Sequence, residues 1–239
     1  MSYATGEINS QATSEDFEFA ALQEATNYRR SLLGEFSPHL QGNILEVGAG
    51  IGQMTRELAG LPKIETIDAL EPDSRFYSRL VEQGLKARCL CGTVADLDAL
   101  QLYDGIISIN VLEHIEDHVG ELQSFRRHLR PGGSLCLFVP ACPSIYAPMD
   151  RSFGHYRRYT RPELRGLLEN AGFRIVQLYY YNSLGFFAWW FNFCFLKKSI
   201  FEAGKVKFYD KYLFTVVHTL EKNLLRPPFG QSLLAIAEA

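Results

Sequence analysis

The residues best suited to chemistry begin with a glycine-rich turn that follows an apolar segment. Leu45-Glu46-Val47 runs directly into Gly48-Ala49-Gly50-Ile51-Gly52, so an acidic side chain and three glycines share one turn. Glycine lets the backbone turn sharply and lets a ligand approach closely, because no Cβ intervenes. After the first parallel strand of an open α/β sheet, such a turn predicts a site for a nucleotide-like cofactor.

The spacing of these glycines distinguishes between cofactors. A dinucleotide fingerprint requires G-x-G-x-x-G, and Gln53 stands where the third glycine would be. This opposes an NAD-dependent oxidoreductase, which remains the first alternative function. Glu71 ends the second predicted strand roughly 20 residues after the glycines, where a carboxylate can accept both hydroxyls of a ribose.

A second group of functional side chains follows the fifth predicted strand. Its members are Tyr146, Asp150, Arg151, His155, Tyr156, Arg157, Arg158 and Tyr159. His155 is the preferred general base, because imidazole titrates near neutrality without a large shift; Asp150 and Tyr156 complete the predicted catalytic group. In the alternative interpretation, His155 and Tyr156 pack a structural loop. Arg157 and Arg158 either bind an anionic acceptor or form a solvated basic run.

Composition is that of an ordinary globular domain of 239 residues, with 47% hydrophobic and 21% charged residues. A formal net charge of -3 gives no basic footprint for nucleic acid, so no nucleic-acid partner is expected. No signal peptide is visible, and five cysteines without metal-ligand spacing fit a reducing cytoplasm. No set of Asp, Glu and His converges in the sequence, so no metal is predicted.

Apolar periodicity predicts strands that alternate with helices, which is typical of βαβ units in a parallel sheet. Strands are expected over 43–47, 64–70, 87–91, 105–110, 134–139, 173–178 and 232–237. Helices are expected over 15–36, 53–59, 74–83, 118–129, 161–170 and 209–225. A cap formed by Thr13-x-x-Asp16 is expected at the start of the first helix.

Five motifs in order carry a family resemblance: the glycine-rich turn, Glu71, the exit of the third strand at 92–96 and the two stretches at 110–115 and 129–133. The E-x-G-x-G-x-G turn at 46–52 resembles motif I of the class I S-adenosylmethionine-dependent methyltransferases. Motif IV of this family resembles the stretch Asn110-Val111-Leu112-Glu113-His114-Ile115. The family's pre-strand turn resembles Leu129-Arg130-Pro131-Gly132-Gly133. The resemblance implies an α/β fold: a Rossmann-like, seven-stranded, mostly parallel sheet sandwiched by helices, with strands six and seven antiparallel. It divides the chain into an N-terminal tail and helix (1–42), a cofactor-binding core (43–178), an aromatic helical lid (179–229) and a final strand (230–239).

The resemblance also implies S-adenosyl-L-methionine as cofactor and a set of residues that bind it. These are Tyr28, Glu46, Gly48, Ala49, Gly50, Glu71, Pro72, Thr93, Val94, Asn110, Val111 and His114. Thr93 stands where many relatives carry an acid that meets the adenine, and Asp96 either takes over that contact or caps a helix. The stretch 150–160 is similar to one in a bacterial subgroup that often acts on saccharides, lipids or secondary metabolites.

The implied function is methyl transfer to an oxygen or nitrogen of a small, hydrophobic or lipid- or saccharide-linked acceptor. A non-catalytic module of the same fold is the second alternative. The aromatic stretch 179–196 carries no formal charge and holds both tryptophans, yet polar residues interrupt it, which disfavours a membrane span. Three interpretations stay open: a lid over an apolar acceptor, a homodimer or core-covering surface, and peripheral membrane contact through 184–207 aided by its lysines.

Overall fold

A seven-stranded sheet forms the centre of the computed structural model, which describes residues 25–198, 203–223 and 226–239. Its strands are β1 (Gly42–Val47), β2 (Ile64–Glu71), β3 (Arg88–Cys91), β4 (Tyr103–Ile109), β5 (Leu129–Pro140), β6 (Arg174–Tyr181) and β7 (Ser232–Glu238). Their order is β3-β2-β1-β4-β5-β7-β6. The first five pair in parallel, and β7 lies antiparallel to both β5 and β6. The predicted sheet is thus confirmed, with β7 inserted between β5 and β6.

The central strands are apolar on both faces, because helices cover both faces of the sheet. In β5, the side chains from Leu135 to Val139 are almost completely buried. One face packs against Leu122 and Phe125, and against Leu164 and Leu168 of a later helix. The other face packs against helices from the first part of the chain. This two-layer cover fixes the sheet as a rigid platform.

The helices of the core largely follow the periodicity of the sequence. They are α1 (Thr26–Phe36), α2 (Gln53–Leu58), α3 (Ser74–Glu82), α4 (His118–His128), α5 (Pro148–Ser152) and α6 (Arg161–Asn170). The predicted helix start at residue 15 and its cap at Thr13-x-x-Asp16 lie outside the described residues. Strand β5 begins earlier than predicted, because Leu129 already pairs with Tyr103 ahead of the turn at Gly132-Gly133.

Two helical segments stand between β6 and β7, as the fold assignment predicted. The first is α7 (Ser183–Trp189), which continues as a π-helix over Trp190–Phe195. The second comprises α8 (Ala203–Phe208), a π-helix over Tyr209–Phe214 and α9 (Thr215–Asn223), in place of one regular helix over 209–225. In the described part of the chain, the longest apolar helices fall short of what crossing a bilayer requires.

A buried carboxylate helps to fasten the second inserted segment to the core. Ala25 precedes α1 and offers no side-chain oxygen to cap it. Asp210, which is only 4% exposed, supplies the cap from the insertion: it accepts hydrogen bonds from the backbone N–H of Asn27 (2.9 Å) and of Tyr28 (2.8 Å). A negative charge at a helix N-terminus is favourable, so the insertion and α1 stabilise each other.

We therefore expect Asp210→Ala to destabilise the protein. Loss of a capping carboxylate costs about 1–2 kcal/mol of unfolding free energy. Urea denaturation followed by circular dichroism measures this as a lower midpoint with an unchanged slope.

Glu82→Ala is the control, since Glu82 is an exposed carboxylate at the end of α3. Its midpoint should stay within about 0.5 kcal/mol of that of the parent protein. Identical midpoints for Asp210→Ala and Glu82→Ala would show that the cap carries no stability.

Candidate active site

A cavity of about 590 Å³ lies at the carboxyl ends of β1, β2 and β4. Every residue predicted to bind the cofactor lines it, with the exception of Gly50. The lining members are Tyr28, Glu46, Gly48, Ala49, Glu71, Pro72, Thr93, Val94, Asn110, Val111 and His114. Arg29, Asp73, Phe76 and Glu121 also line it; these were missed because their neighbourhoods carry no distinctive motif.

The glycine-rich turn is held open by backbone geometry that other residues rarely adopt. Gly48 has a φ of +73°, and a Cβ at this position would overlap the side chain of Val111. The N–H groups of Gly48 and Ala49 both donate to the carbonyl oxygen of Leu70, at 2.9 and 3.0 Å. The turn is therefore fastened to the end of β2 and leaves its outer surface to the cavity.

Glu71 has a structural role that the sequence did not reveal. One carboxylate oxygen accepts the N–H of Gly50 at 2.8 Å, and the other accepts the N–H of Asp73 at 2.9 Å. The side chain is 6% exposed. Each carboxylate oxygen has a second lone pair, so Glu71 can hold the glycine turn and still accept ribose hydroxyls.

Glu46 contributes an acidic group whose charge has little compensation within the fold. It is 4% exposed, and its Oε2 has no hydrogen-bond partner among the residues that the structure describes. Burial, together with the nearby charge of Glu71, raises the pKa of Glu46 to about 8. A buried carboxyl group beside this cavity suits a ligand that carries a cationic group, such as the ammonium group of an amino acid.

The residues after β3 separate into two roles. Thr93 and Val94 line the cavity, as predicted for the adenine side. Asp96 instead accepts hydrogen bonds from the N–H and the hydroxyl of Thr93, both at 2.8 Å. These hydrogen bonds lower the pKa of Asp96. Of the two interpretations of Asp96, the structure supports the cap.

A second cavity, of about 390 Å³, adjoins the first and is enclosed by the insertion. Ala25, Tyr28 and Asn110 line both cavities, so they stand where the two meet. Asn110 has a φ of +52°, a left-handed conformation that asparagine tolerates better than most residues. The walls of the second cavity include Phe153, His155, Arg158, Asn182, Trp189 and Phe193. This chamber, whose aromatic walls are interrupted by amide and charged side chains, is the candidate acceptor site.

His155 lines this chamber, and its ring is held in place through Nδ1. Its Nδ1 lies 3.0 Å from Oδ1 of Asp150, while Nε2 has no hydrogen-bond partner within the described ranges. The contact with a carboxylate favours the tautomer that carries the proton on Nδ1. Nε2 is then unprotonated and available as a base.

Asp150 acts through His155, which corrects its predicted place among the catalytic residues. It is fully buried and is not part of the described lining of either cavity. Its other hydrogen bonds come from Nε of Arg158 and from the backbone N–H of Ala147, both at 2.8 Å. Asp150 is therefore a positioning residue.

Tyr156 lies outside the described lining of both cavities, and it is 55% exposed. The geometry therefore gives its catalytic role no support, and that role stays a prediction. The guanidinium of Arg157 lies 5.4 Å from the Tyr156 ring centre.

The two arginines of this loop are engaged within the protein. Arg157 donates to the carbonyl oxygens of Ile115 (2.7 Å) and Glu116 (3.1 Å). Arg158 is buried, donates to the carbonyl oxygen of Ala141 at 3.1 Å and lies 4.4 Å from the Trp189 ring centre. They therefore do not form a solvated basic run. Because Arg158 also lines the acceptor chamber, its contact with an anionic acceptor stays a prediction.

Three side chains from two loops converge here: Glu113 and His114 follow β4, and His155 follows β5. The rings of His114 and His155 meet edge to face at 4.7 Å, and Nε2 of His155 lies 3.9 Å from Oε1 of Glu113. Burial and the neighbouring His155 lower the pKa of His114 to about 4, so His114 is neutral near pH 7. Ligand atoms of the three residues lie within 4.8 Å of one another. The sequence hid this convergence, because it joins the loops after β4 and β5.

Comparison with known proteins decides the family. The family model described as "Methyltransferase domain" matches residues 19–178, more than half of the chain. The chain belongs to the S-adenosylmethionine-dependent methyltransferases. The family assigns S-adenosylmethionine as the cofactor, in agreement with the glycine spacing, and Glu46 and Gly48 provide the acidic and closely approachable surface that this ligand requires.

Curated relatives of this methyltransferase domain include two ubiquinone biosynthesis O-methyltransferases. The protein from Rickettsia canadensis is 26% identical over 152 residues, which cover 56% of this chain and 64% of the relative. The protein from Xanthomonas axonopodis pv. citri is 28% identical over 149 residues, which cover 55% of this chain and 62% of that relative. The chain thus spans less than two thirds of the length of these relatives.

Solved structures share the fold. Phosphoethanolamine N-methyltransferase 2 from Haemonchus contortus, in complex with S-adenosyl-L-methionine, superposes with a TM-score of 0.66 at 13% identity, over 96% of this chain and 58% of that one. A methyltransferase from Clostridium acetobutylicum gives a TM-score of 0.60 at 12% identity, over 92% of this chain and 97% of that one. At these identities, the likeness establishes the fold.

The raised pKa of Glu46 predicts a pH-dependent stability of the ligand-free protein. The folded state keeps a proton up to about pH 8, whereas the unfolded chain releases it near pH 4.3, roughly the value of a free glutamate. Stability therefore falls as pH rises between these values. Glu46→Gln has no such carboxyl group to titrate. Its free energy of unfolding relative to that of the parent should therefore rise by at least about 1 kcal/mol between pH 5 and pH 8.5.

Denaturation midpoints of both proteins across this pH range measure the difference. Glu65→Gln, at an exposed position on β2, is the matched control and should differ from the parent by a constant amount. A constant difference for Glu46→Gln as well would mean that Glu46 is ionised in the folded protein at neutral pH.

Proposed function

We propose that this protein transfers a methyl group from S-adenosylmethionine to a hydroxyl group of an apolar, lipid-like acceptor. The observation that carries the proposal is the position of His155 Nε2. This atom is buried and lacks a hydrogen-bond partner in the described part of the chain, and its residue lines the chamber that meets the cofactor cavity at Asn110. S-adenosylmethionine supplies a methyl group already activated on a sulfonium, so the protein must contribute alignment, a dry site and a route for a proton.

Four places in the first cavity would hold the cofactor. Glu46 would meet the ammonium group, and Gly48 would allow close approach to the backbone. Glu71 would accept the ribose hydroxyls, and Thr93 and Val94 would flank the adenine. Asn110, Val111 and His114 stand nearest the second cavity and would surround the methyl end.

Proton removal falls to His155. A hydroxyl acceptor loses its proton as the new O–C bond forms, and an unprotonated Nε2 can take it. The ring then carries a positive charge, which the carboxylate of Asp150 at Nδ1 stabilises. Glu113, whose Oε1 is 3.9 Å from Nε2, lies beside the other nitrogen of the ring.

The chamber favours an apolar acceptor. Phe153, Trp189 and Phe193 belong to one buried cluster and present aromatic surface to it. The curated relatives are named as O-methyltransferases, and this supports a hydroxyl acceptor over an amine acceptor. An amine remains the second choice, since neighbours of the same fold include N-methyltransferases.

The other functions raised by the sequence have less support. Gln53 lines the cofactor cavity where a dinucleotide site needs glycine, which argues against the oxidoreductase. A non-catalytic module would not need an imidazole fixed by a carboxylate at the acceptor side. A cytoplasmic location, a homodimer and a role in secondary metabolism stay predictions from the sequence.

His155→Ala should separate binding from transfer. We expect the Kd for S-adenosylmethionine to change less than about three-fold, while kcat falls about 100-fold or more, the usual worth of a positioned general base. The measurements are calorimetric titration and release of S-adenosylhomocysteine, with labelled cofactor and a panel of apolar phenols, alcohols and amines. Glu71→Ala should show the opposite pattern, with cofactor affinity lost.

His39→Gln is the control, because His39 precedes β1 and therefore lies at the amino end of this strand, away from the cofactor cavity. Turnover that survives a chelator supports His155 as the proton acceptor. Turnover abolished by chelation and restored by a divalent cation would make Glu113, His114 and His155 a metal site instead. Equal loss of cofactor affinity in His155→Ala and Glu71→Ala would show that the acceptor side is misplaced.

A further inference from the structure

The inserted helices expose an unusually large apolar surface, which we call the apolar face. It consists of Phe187, Trp190, Phe191, Phe195, Leu196, Phe208, Tyr212, Leu213, Val216 and Leu220. The exposed fractions run from 42% at Leu213 to 65% at Phe195. Single exposed apolar residues are normal in proteins, but a group of this size marks an interaction surface.

The exposure of these residues does not come from loose packing, because both inserted segments also bury aromatic side chains against the core. In the first inserted helix, Trp189 and Phe193 are each 6% exposed and pack against Ile145, Met149 and Phe153 of the core. The next side chains along that helix, Trp190 and Phe191, point outward.

The second inserted helix repeats this arrangement. Phe214 is 2% exposed and packs against Tyr28 and other residues of the core, while Phe208 and Val216 are more than half exposed. Each inserted helix therefore has one apolar side satisfied by the protein and a further apolar side that is not. A helix that is apolar around its circumference requires a second apolar environment.

The apolar face borders the acceptor chamber. Phe208 and Leu213 belong both to the face and to the lining of the chamber. Ala188 and Asn192 of the first helix line it from the other side. The chamber is thus enclosed between the two helices that carry the face, and an apolar molecule resting against the face is next to its wall.

The charges around the face are mainly positive. Residues 187–216 contain five lysines and two acidic residues, in a chain whose formal net charge is -3. One of the two acids, Asp210, is buried and caps α1. Lys197 and Lys211 are exposed, and the ammonium of Lys211 lies 5.0 Å from the Tyr212 ring centre.

Aromatic rings flanked by lysines match the interface of an anionic lipid bilayer. Tryptophan and tyrosine concentrate where hydrocarbon meets headgroups, and each nearby lysine adds about 1 kcal/mol of attraction to an anionic surface. A second copy of the chain fits less well, because a two-fold contact would bring together two faces that both carry an excess of lysines.

We propose that the apolar face docks this protein peripherally on anionic lipid membranes, with the acceptor chamber beside the lipid. Within the described ranges no helix is long and apolar enough to cross the bilayer, so the contact is interfacial. The inference goes beyond methyl transfer and is measured without any turnover.

The test is sedimentation of the full chain with sucrose-loaded vesicles. One set contains phosphatidylcholine alone, and the other contains phosphatidylcholine with phosphatidylglycerol. We expect binding to the anionic set to be at least about ten-fold tighter and to weaken in about 1 M salt, where the screening length is about 3 Å. Trp190 is 46% exposed, so tryptophan emission should shift to shorter wavelength upon binding.

Two double variants assign the contact to the face. Phe191→Ser with Phe195→Ser removes two stacked rings, and Lys197→Glu with Lys211→Glu reverses two exposed charges. Each should lower vesicle affinity at least about ten-fold and leave binding of S-adenosylmethionine unchanged, which verifies the fold. Leu100→Ser is the control: Leu100 is 87% exposed in the loop before β4 and should not affect vesicle binding.

Three results would overturn the proposal. One is equal binding to neutral and anionic vesicles that salt does not affect. Another is vesicle binding that both double variants retain. The third is a stable dimer in sedimentation velocity that Phe191→Ser with Phe195→Ser dissociates, since a second copy would then cover the face.

Discussion

The buried charge of Asp150 is the constraint on which the acceptor side of the structure depends. A carboxylate removed from water costs several kcal/mol unless charged and polar partners compensate it. Here Arg158, His155 and the N–H of Ala147 do so. Because Arg158 also bonds the carbonyl oxygen of Ala141 and lies over the ring of Trp189, the same ionic centre ties the loop after β5 to the first inserted helix. The orientation of the His155 ring is therefore set by a network that spans two parts of the chain.

The two cavities are built by different means. The cofactor cavity uses the backbone at the carboxyl ends of parallel strands, where the glycine turn is fastened to β2 through Leu70 and Glu71. The acceptor chamber is built from side chains of loops and inserted helices, which pack on the platform without belonging to it. A change of acceptor could then arise by substitution at the insertion, at positions such as Phe193, while the geometry around the cofactor stays fixed.

The sheet and the cofactor cavity could be predicted from sequence because their signals are local. Strand alternation, the glycine spacing and Glu71 at a strand end all lie in short windows. The acceptor side could not, since its key contacts join distant segments: Asp210 caps α1 from the insertion, and Glu113 approaches His155 from another loop. Tyr156 shows the same limit, because composition shows that a loop is rich in functional groups but not which of two neighbours lines a cavity.

The exposed apolar surface of the insertion is best understood together with the chamber behind it. A protein that handled a small, polar acceptor would gain nothing from helices that are apolar on two sides, and would carry an aggregation liability. An apolar acceptor has low solubility in water and concentrates in lipid, so a chamber for it is most useful where its wall meets the lipid. Under the two proposals, the inner rings, such as Trp189, would surround the bound acceptor, and the outer rings, such as Trp190, would contact the lipid that supplies it.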